Sequence, residues 1–511
     1  MGALCVGKST SSSEIRVHAC KINSFSFGNM LPHTDLQCPP PVHYTGGYVY
    51  NFLCKNKQDS YLVKKHVLVT VAGIAGLACV GWLAARHAEH VMLDKSIDSF
   101  RQAIGPDASF TYKKAWPGLL GRSVKFTQLV FRQGPETITA DEAEISKLGT
   151  AEDEAKRIGH LSFRNFQLAD PAGSLHLDDL SLEGVTLPAG GDDKHGTPAQ
   201  GLEIKHAEAS RLHGFISGLQ SDISATGLKV DDYGSSEASR LEAKDVLLST
   251  DVAPQRHITA HSIMLDGVDL AGLYSSLATG GSYEPHNGTR DIQVDGLGVD
   301  GTGPLLRVAK LSSHSTRSDA SEQEVSSLQG LELWPDVPNL SILPALGYDR
   351  FRGSLVLNDT HDYKAGKLHV ATFSLDAPGM GRLTLDGDFS QTSTAALLSA
   401  GAADMQVMAM NVSYKDHGLL PKVLAASAKA RGVTAQELTT SLQTQLAPQG
   451  SAPDAPLPQI ARYLAHPGSG PLTITLHPPQ PLPMMAIAAS ISMLISAPQV
   501  AQQIGLTVHA P

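Results

Sequence analysis

The chain has 511 residues, with 50 acidic and 40 basic side chains and a formal net charge of −10 at pH 7. Its hydrophobic content of 42% is sufficient for sizeable cores, and its length allows about two to four domains. The acidic balance argues against a nucleic-acid-binding protein, which would carry clustered Lys and Arg. All five cysteines lie between Cys5 and Cys79, so the rest of the chain has no disulfide framework, cysteine-ligated metal or thiol nucleophile.

Residues 1–62 have low hydrophobicity and no sustained period, and we interpret them as a disordered or over-extended N-terminus. Gly2 to Ser9 match the phosphate-binding pattern GxxxxGK[ST]. That loop needs a strand before it and an apolar helix after it, and this stretch has neither. We therefore expect no nucleotide cofactor.

A transmembrane signal-anchor is predicted over residues 63–87. An apolar run extends from Val67 to Ala85, and Lys64 and Lys65 precede it. At about 1.5 Å per residue, a helix of this length comes close to the roughly 30 Å of a hydrocarbon core. The lysine pair places the N-terminus in the cytoplasm. We expect a single-pass inner-membrane protein with its bulk in the periplasm, and a cleavable signal sequence is the alternative.

Residues 88–105 carry apolar side chains at three- and four-residue steps, which predicts a helical stem that leaves the membrane. The stretch from Phe110 to Phe131 then predicts a strand, a Pro/Gly turn and a second strand.

An eight-residue pattern, apolar-x-apolar-x-x-apolar-x-apolar, organises the remainder. It begins at Ile138, Leu161, Leu175, Leu202, Ile223, Leu241, Ile258, Ile292 and Leu368. These spacings scatter around a helix but give the period of two that a half-buried strand requires, once on each side of a polar doublet. A regular strand would send its two halves to opposite faces, so we predict a bulge or sharp bend at the doublet that returns the second half to the core face.

We predict a mainly β protein whose elongated, curved antiparallel body spans residues 106–413, in blocks 106–188, 201–311 and 328–413. The polar stretch from Ser312 to Ser327 is interpreted as a linker or exposed loop. Alternation predicts three paired strands at 351–358, 367–375 and 381–389.

A helical pair is predicted over residues 414–447, with a capping box from Thr434 to Glu437 opening the second helix. A Pro-rich linker leads to a small α/β unit at 459–511. Its predicted elements are a helix near 460–464, a strand at 471–476, a helix over about 484–503 and a strand at 505–509.

The layout over roughly residues 63–390 resembles YdgA-like and AsmA-like bacterial envelope proteins. The shared features are the signal-anchor, the short helix, an aromatic-ended strand, the Gly118-Leu119 turn and the run of β octads. The resemblance implies a periplasmic β-rich body tethered to the inner membrane. It supplies no catalytic residue.

No GxSxG, HExxH, CxxC or EF-hand motif occurs. His257 and His261 are four residues apart, which in a strand separates them by about 13 Å, too far for one metal ion. The GxGxxG match from Gly296 to Gly301 is followed by another strand, so we interpret its glycines as turn residues. We therefore predict no catalytic, cofactor-binding or metal-ligating residue.

The function hypothesis follows from strands with one apolar face and bent middles. If the sheet is open, that face forms an apolar trough suited to acyl chains, with Leu177, Leu182, Ile258 and Ile263 as candidate lining residues. We expect a non-enzymatic protein that binds or transfers lipid, or serves outer-membrane homeostasis, with lipid or envelope proteins as partners. The alternative is a structural or protein-interaction scaffold with a closed β body and no ligand. An enzyme is the third hypothesis, and its cue would be a buried, perturbed carboxylate or histidine in a cleft.

Overall fold

A computed structural model describes most of the chain beyond residue 107. The described residues are 108–117, 123–148, 157–171, 173–186, 202–217, 220–234, 238–250, 255–279, 283, 285–390 and 405–511. The predicted segments 1–62, 63–87 and 88–105 lie outside them. Within the described residues, no helix has both the length and the apolar character needed to cross a membrane.

The described part of the chain contains twenty strands, all in one sheet. The strands are β1 (Ala108–Thr111), β2 (Lys114–Pro117), β3 (Ser123–Gln133), β4 (Glu136–Leu148), β5 (Arg157–Asp170), β6 (Gly173–Thr186), β7 (Glu203–Ile216), β8 (Ser221–Tyr233), β9 (Ser239–Thr250), β10 (Arg256–Val268), β11 (Gly288–Asp300), β12 (Pro304–Arg317), β13 (Ser321–Leu333), β14 (Phe351–Asp362), β15 (Lys367–Ala377), β16 (Gly381–Ser390), β17 (Gln406–Asp416), β18 (Pro471–Leu476), β19 (Leu482–Pro483) and β20 (Leu506–His509).

Helices occupy a smaller share of the described residues. They are α1 (Leu270–Thr279), α2 (Leu419–Arg431), α3 (Ala435–Leu446), α4 (Pro456–Ala465), α5 (Met484–Ser492), α6 (Val500–Gln503) and a 3₁₀ helix (Leu343–Leu346). The prediction of a mainly β, antiparallel fold is confirmed.

The sheet is a meander. From β3 to β17 each strand pairs antiparallel with the strand before it and the strand after it in sequence. At one end β1 and β2 both pair with β3. At the other end β17 pairs with β18 and β19, and β20 pairs with β18. Local connections are sufficient to build the whole sheet, as expected for antiparallel strands.

The polar doublets interrupt the strands as predicted. In β5, Arg164 faces Asp179 and Phe166 faces Leu177, while Asn165 between them leaves the ladder with a φ of 51°. Asp245 and Gly296 take the same left-handed geometry, with φ of 48° and 65°. Asn, Asp and Gly are the residues that adopt this conformation most readily, which explains the composition of these doublets.

The bend keeps both halves of an octad on one face. In β4, Ile138 and Ala140 before the doublet and Ala143 and Ile145 after it are all buried, at 1% to 3% exposure. An uninterrupted strand would have placed the second pair in solvent.

Side chains at the bends replace the lost ladder bonds. Asn165 Nδ2 donates to Asp141 Oδ2 at 2.8 Å, and Thr226 Oγ1 donates to Asp245 Oδ2 at 2.8 Å. Each bond joins two facing residues that drop out of the ladder. The bends therefore place polar, hydrogen-bonded side chains on the face opposite the apolar octad positions.

Burial is uneven along the sheet. One core lies in β1–β7 and contains fully buried side chains such as Phe126, Leu129 and Leu161. A second core joins β15–β18 and β20 to the C-terminal helices around Val407 and Leu476. Between residues 210 and 342, the buried hydrophobic side chains of the described residues are few and small: Ala225, Ala243, Ala260, Val268, Ala271 and Val308.

The three predicted strands at 351–358, 367–375 and 381–389 are confirmed as β14, β15 and β16. The capping box is confirmed as well, since Thr434 Oγ1 accepts from the Glu437 N–H and Glu437 accepts from the Thr434 N–H.

Other predictions were wrong. The stretch 312–327, expected to be a linker or loop, forms the adjoining ends of β12 and β13. The predicted helix 484–503 divides into α5, which ends at Ser492, and α6, which begins at Val500. Pro498 lies between them and lacks the N–H that an uninterrupted helix would need at that position. Helix α1 was not predicted.

Candidate functional site

The octad side chains of successive strands line up in rows across one side of the sheet, which we call the apolar face. The register places nine apolar side chains in one continuous row across β6–β14. Six are octad residues, and β12–β14 add three leucines: Leu180, Ala209, Leu228, Ala243, Ile263 and Val294, then Leu311, Leu328 and Leu355. Neighbouring strands are about 4.8 Å apart, so this row extends for about 38 Å along the sheet. The bends create the face, since they bring both halves of each octad to the same side.

All four predicted trough residues project onto this face, but they differ in burial. Leu177 and Leu182 in β6 are each 5% exposed and belong to the core of β1–β7. Ile258 and Ile263 in β10 are half-buried. Four strand spacings, or about 19 Å, separate the two pairs. The register therefore places them on one face without bringing them into contact.

The half-buried part of the apolar face lies in β8–β14. Its side chains in β9–β11 include Leu241, Ile258, Ile263, Ile292 and Val294, none of which is fully buried. In the described residues, the extensive packing of β8–β13 is with neighbouring strands of the same sheet. This stretch differs from β4 and β5, where nearly all octad side chains are buried in the first core. Strands β6 and β7 are intermediate, since Leu180 and Ile204 are half-buried while Leu177 and Ala209 are buried.

The same face becomes polar toward one end of β11–β14. In the row after Val294 and Leu311, Ile292 faces Ser313, which faces Ser326. In the next row Arg290 faces Ser315, Ser315 faces Glu324 and Glu324 faces Asp359. In the last row Arg317 faces Glu322 and Glu322 faces His361. Charged side chains therefore occupy positions that would be apolar if the octad pattern continued.

These residues line a cavity of about 470 Å³, which we call the arginine-carboxylate pocket. Its polar lining is formed by Arg290, Arg317, Glu322, Glu324, Asp359 and Tyr363. Leu265, Val268, Leu273 and Ile292 supply an apolar part of the same wall. The pocket thus joins the end of the apolar face to a set of buried charges.

One half of the pocket is built around Glu322, whose side chain is 15% exposed. Arg290 Nη2 donates to Glu322 Oε1, and the Tyr363 hydroxyl donates to Glu322 Oε2. Arg317 Nη1 lies 3.7 Å from Glu322 Oε2, and its guanidinium stacks 4.7 Å from the centroid of the Tyr363 ring. Two guanidinium groups therefore converge on one carboxylate.

These guanidinium groups keep unused donors. Arg290 Nε and Arg317 Nη1 are buried and have no hydrogen-bond acceptor among the described residues. Burial lowers the pKa of Arg290, because the charged form loses its hydration.

The other half of the pocket contains two carboxylates, neither of which forms a close ion pair with a described Lys or Arg; the Arg290 charge acts on Glu324 at longer range. Glu324 accepts hydrogen bonds from the Ser313 hydroxyl, at 2.9 Å, and from the Ser326 hydroxyl. Asp359 makes no side-chain hydrogen bond or ion pair in the described part of the chain, and its Oδ1 is buried. Burial first, and the neighbouring Glu324 carboxylate second, raise the pKa of Asp359 to about 6.

Helix α1 forms a wall of the pocket through Leu273, and Asp269 fixes where this helix begins. Asp269 Oδ1 accepts the Gly272 N–H at 2.7 Å, which satisfies one of the free donors of the first turn. Asp269 Oδ2 lies 2.9 Å from His286 Nε2. The cap thus ties the helix to the chain that enters β11.

The opposite side of the sheet has a polar groove along the bends, which we call the outer groove. Near β3–β7 it forms a cavity of about 570 Å³, lined in part by Lys125, Glu142, Arg164 and Asp179. Arg164 and Glu142 form an exposed ion pair at 3.4 Å. His257 and His261 lie on β10 and are exposed, and His261 Nδ1 is 2.9 Å from Asp245 Oδ1. No cluster of three or more metal-ligating side chains occurs in the described ranges.

Sequence reasoning missed the arginine-carboxylate pocket because it assigned residues 312–327 to a loop. The available signal was alternation of period two on each side of a short turn. Ser313, Ser315 and Arg317 alternate before it, and Glu322, Glu324 and Ser326 alternate after it.

Comparison with known proteins finds a family model over the C-terminal part of the chain. A family model with the description "Uncharacterized protein" matches residues 374–511, which include β16–β20 and helices α2–α6. No curated protein matches the chain. The matched region does not include the arginine-carboxylate pocket.

Proposed function

We propose that this protein is a membrane-anchored, non-enzymatic envelope protein of the periplasm that binds the acyl part of a lipid on its apolar face. The apolar segment 67–85 supplies the anchor in this proposal. The observation that carries the lipid part is the set of continuous apolar rows over β8–β14, whose large side chains are half-buried while nearly all of the same positions in β4 and β5 are buried in a core.

The energetic argument is the burial of apolar surface. A row of about 38 Å is longer than an extended acyl chain of sixteen carbons, at roughly 20 Å. Each methylene group transferred from water to an apolar surface contributes about 0.8 kcal/mol. Partial burial of one chain would therefore offset the cost of immobilising it.

Site-specific photo-crosslinking in the full-length chain tests this proposal. A photoreactive residue replaces Ile263, which lies in the apolar row, and covalent lipid adducts are identified by mass spectrometry after irradiation of cells. We expect adducts that carry acyl chains. Protein adducts alone at this position would contradict lipid binding.

Leu247 in β9 provides the matched control. It is also a large aliphatic side chain in the middle of the sheet, but it lies on the opposite face and is 38% exposed. We expect no lipid adduct there. Equal labelling at both positions would show non-specific contact with the bilayer and would also contradict the proposal.

A scaffold is the second candidate function, and the outer groove favours it. Its exposed charges of both signs, including Lys125, Glu142 and Arg164, could pair with a charged protein surface. A photoreactive residue at Thr226, which lines a smaller cavity at the same bends, would then give a discrete protein adduct.

A further inference from the structure

The arginine-carboxylate pocket has two halves of opposite charge. Around Glu322, Arg290 and Arg317 provide two positive charges against one carboxylate. At Glu324 and Asp359, two carboxylates face each other across β13 and β14, and neither forms a close ion pair with a described Lys or Arg, although the Arg290 charge acts on Glu324 at longer range. If these five groups are all ionised, they carry one net negative charge between them; His361 also lines the pocket. A ligand that is only anionic would therefore leave the acidic half uncompensated.

From this arrangement we infer that the pocket binds a zwitterion that carries a primary ammonium and a phosphate. The ammonium lies between Asp359 and Glu324, and the phosphate accepts hydrogen bonds from Arg290 and Arg317. We assign this zwitterion to the head group of the lipid held on the apolar face, and that assignment rests on the proposed function.

The acidic half selects the ammonium. No described side chain donates a hydrogen bond to Asp359. The two nearby hydroxyl groups, of Ser313 and Ser326, both donate to Glu324 instead. A primary ammonium has three N–H donors, so it can bond to both carboxylates and neutralise their repulsion. A quaternary ammonium has no donor and would leave Asp359 without a hydrogen bond.

The basic half selects the phosphate. Guanidinium groups bind phosphate oxygens with several N–H donors, and Arg290 and Arg317 each keep a buried nitrogen that makes no hydrogen bond to the described part of the protein. Tyr363 holds Glu322 from the side and stacks against Arg317, which fixes the direction of one guanidinium. The phosphate therefore meets donors that are already oriented.

The pocket lies at the end of the apolar face, where the acyl chains of a bound lipid would lie. Leu265 and Ile292 line the pocket and also face each other in an apolar row that runs back to β6 through Leu241, Val230 and Ala207. A head group in the pocket would thus leave its acyl chains on the apolar face.

Competition between lipids of equal acyl chains tests the inference. The full-length chain is purified in detergent that contains phosphatidylethanolamine, phosphatidylglycerol and phosphatidylcholine in equal amounts, and bound lipid is quantified by native mass spectrometry. A charge-assisted hydrogen bond contributes about 1.5–3 kcal/mol. We expect phosphatidylethanolamine to be enriched about tenfold or more over the other two lipids.

Asp359→Asn is the informative variant, since it removes the charge and keeps the size. We expect it to reduce the enrichment of phosphatidylethanolamine over phosphatidylcholine to about twofold or less while total bound lipid persists. Asp386→Asn is the matched control, because Asp386 is exposed on β16 and accepts a hydrogen bond from Asn411 outside the pocket. It should retain the enrichment.

Arg290→Gln tests the phosphate half and should weaken all three lipids. Arg290→Lys keeps the charge and should restore part of the binding. Circular dichroism of each variant separates lost binding from lost folding.

A titration with free phosphoethanolamine distinguishes the source of the zwitterion. Binding of phosphatidylethanolamine at least tenfold tighter than phosphoethanolamine supports a lipid head group. Binding of phosphoethanolamine without any lipid supports the pocket chemistry and overturns the proposed lipid function. Bound lipid without head-group preference overturns this inference and leaves the lipid function standing. Binding of neither overturns both.

Discussion

Replacement of Asp359 by Asn should stabilise the folded protein at pH 8. Asp359 is a partly buried carboxylate with no hydrogen bond, beside Glu324, and its pKa rises from 3.8 to about 6 in the folded state. The ionised form is therefore destabilising in the folded protein. One pKa unit corresponds to about 1.4 kcal/mol, so the rise sets an upper limit of about 3 kcal/mol. Because Asp359 retains contact with solvent, screening reduces the expected gain to about 1–2 kcal/mol.

The pH dependence has a defined sign. The folded state binds the Asp359 proton more tightly than the unfolded state, so this group favours folding below pH 3.8 and opposes it increasingly as the pH rises through 6. The gain from Asp359→Asn should be complete at pH 8 and should fall to about one third at pH 4.5.

Urea unfolding of the full-length chain at the two pH values measures this difference, with Asp386→Asn as the exposed control. The control should change the free energy of unfolding by less than about 0.5 kcal/mol. A variant at Asp359 that is no more stable than the parent at pH 8, or whose advantage grows as the pH falls, would refute the reasoning.

Three further predictions concern the fold. Asn165→Val should destabilise by about 1–3 kcal/mol because a β-branched residue strains the left-handed bend, whereas Asn165→Gly should cost less, as measured by urea midpoints. Leu161→Ala should cost about 2–5 kcal/mol in the sealed core of β1–β7, and Leu241→Ala on the half-buried apolar face should cost less than half as much, so equal losses would contradict the difference in burial between the two regions. Thr434→Ala should cost about 1 kcal/mol through loss of the capping box, while Thr434→Ser should be nearly neutral; faster amide exchange at the start of α3 should report the loss.

The octads predicted the strands and the return of each half to one face, because both follow from the parity of side chains in a pleated strand. They did not specify which residue would take the left-handed conformation. At the doublet Arg164-Asn165 the second residue does so, but β7 places Arg211 in that conformation, with a φ of 46°. Propensity alone would not select Arg, so the register with the neighbouring strands decides it.

The arginine-carboxylate pocket was harder to predict, because two rules conflict over residues 312–327. A run of Ser, Asp and Glu is typical of a loop, whereas period-two alternation indicates strands. The residues of this stretch that lie on the apolar face are themselves polar. The hydrophobic pattern that identified the other strands is therefore absent there. Arg290 also comes close to Glu322 only because β11, β12 and β13 pair in this register. The spacing of residues along the chain does not reveal that register. The membrane segment, the periplasmic location and the lipid ligand stay predictions.

The meander topology has a consequence for how the length of the sheet could change in evolution. Since every strand from β4 to β16 pairs only with its neighbours in sequence, duplication or loss of two adjacent strands preserves the direction of all the others. Each such event would lengthen or shorten the apolar rows by about 10 Å without any new long-range pairing. Relatives that differ in length by whole hairpins, with the charged pocket retained, would be the expected record of this process.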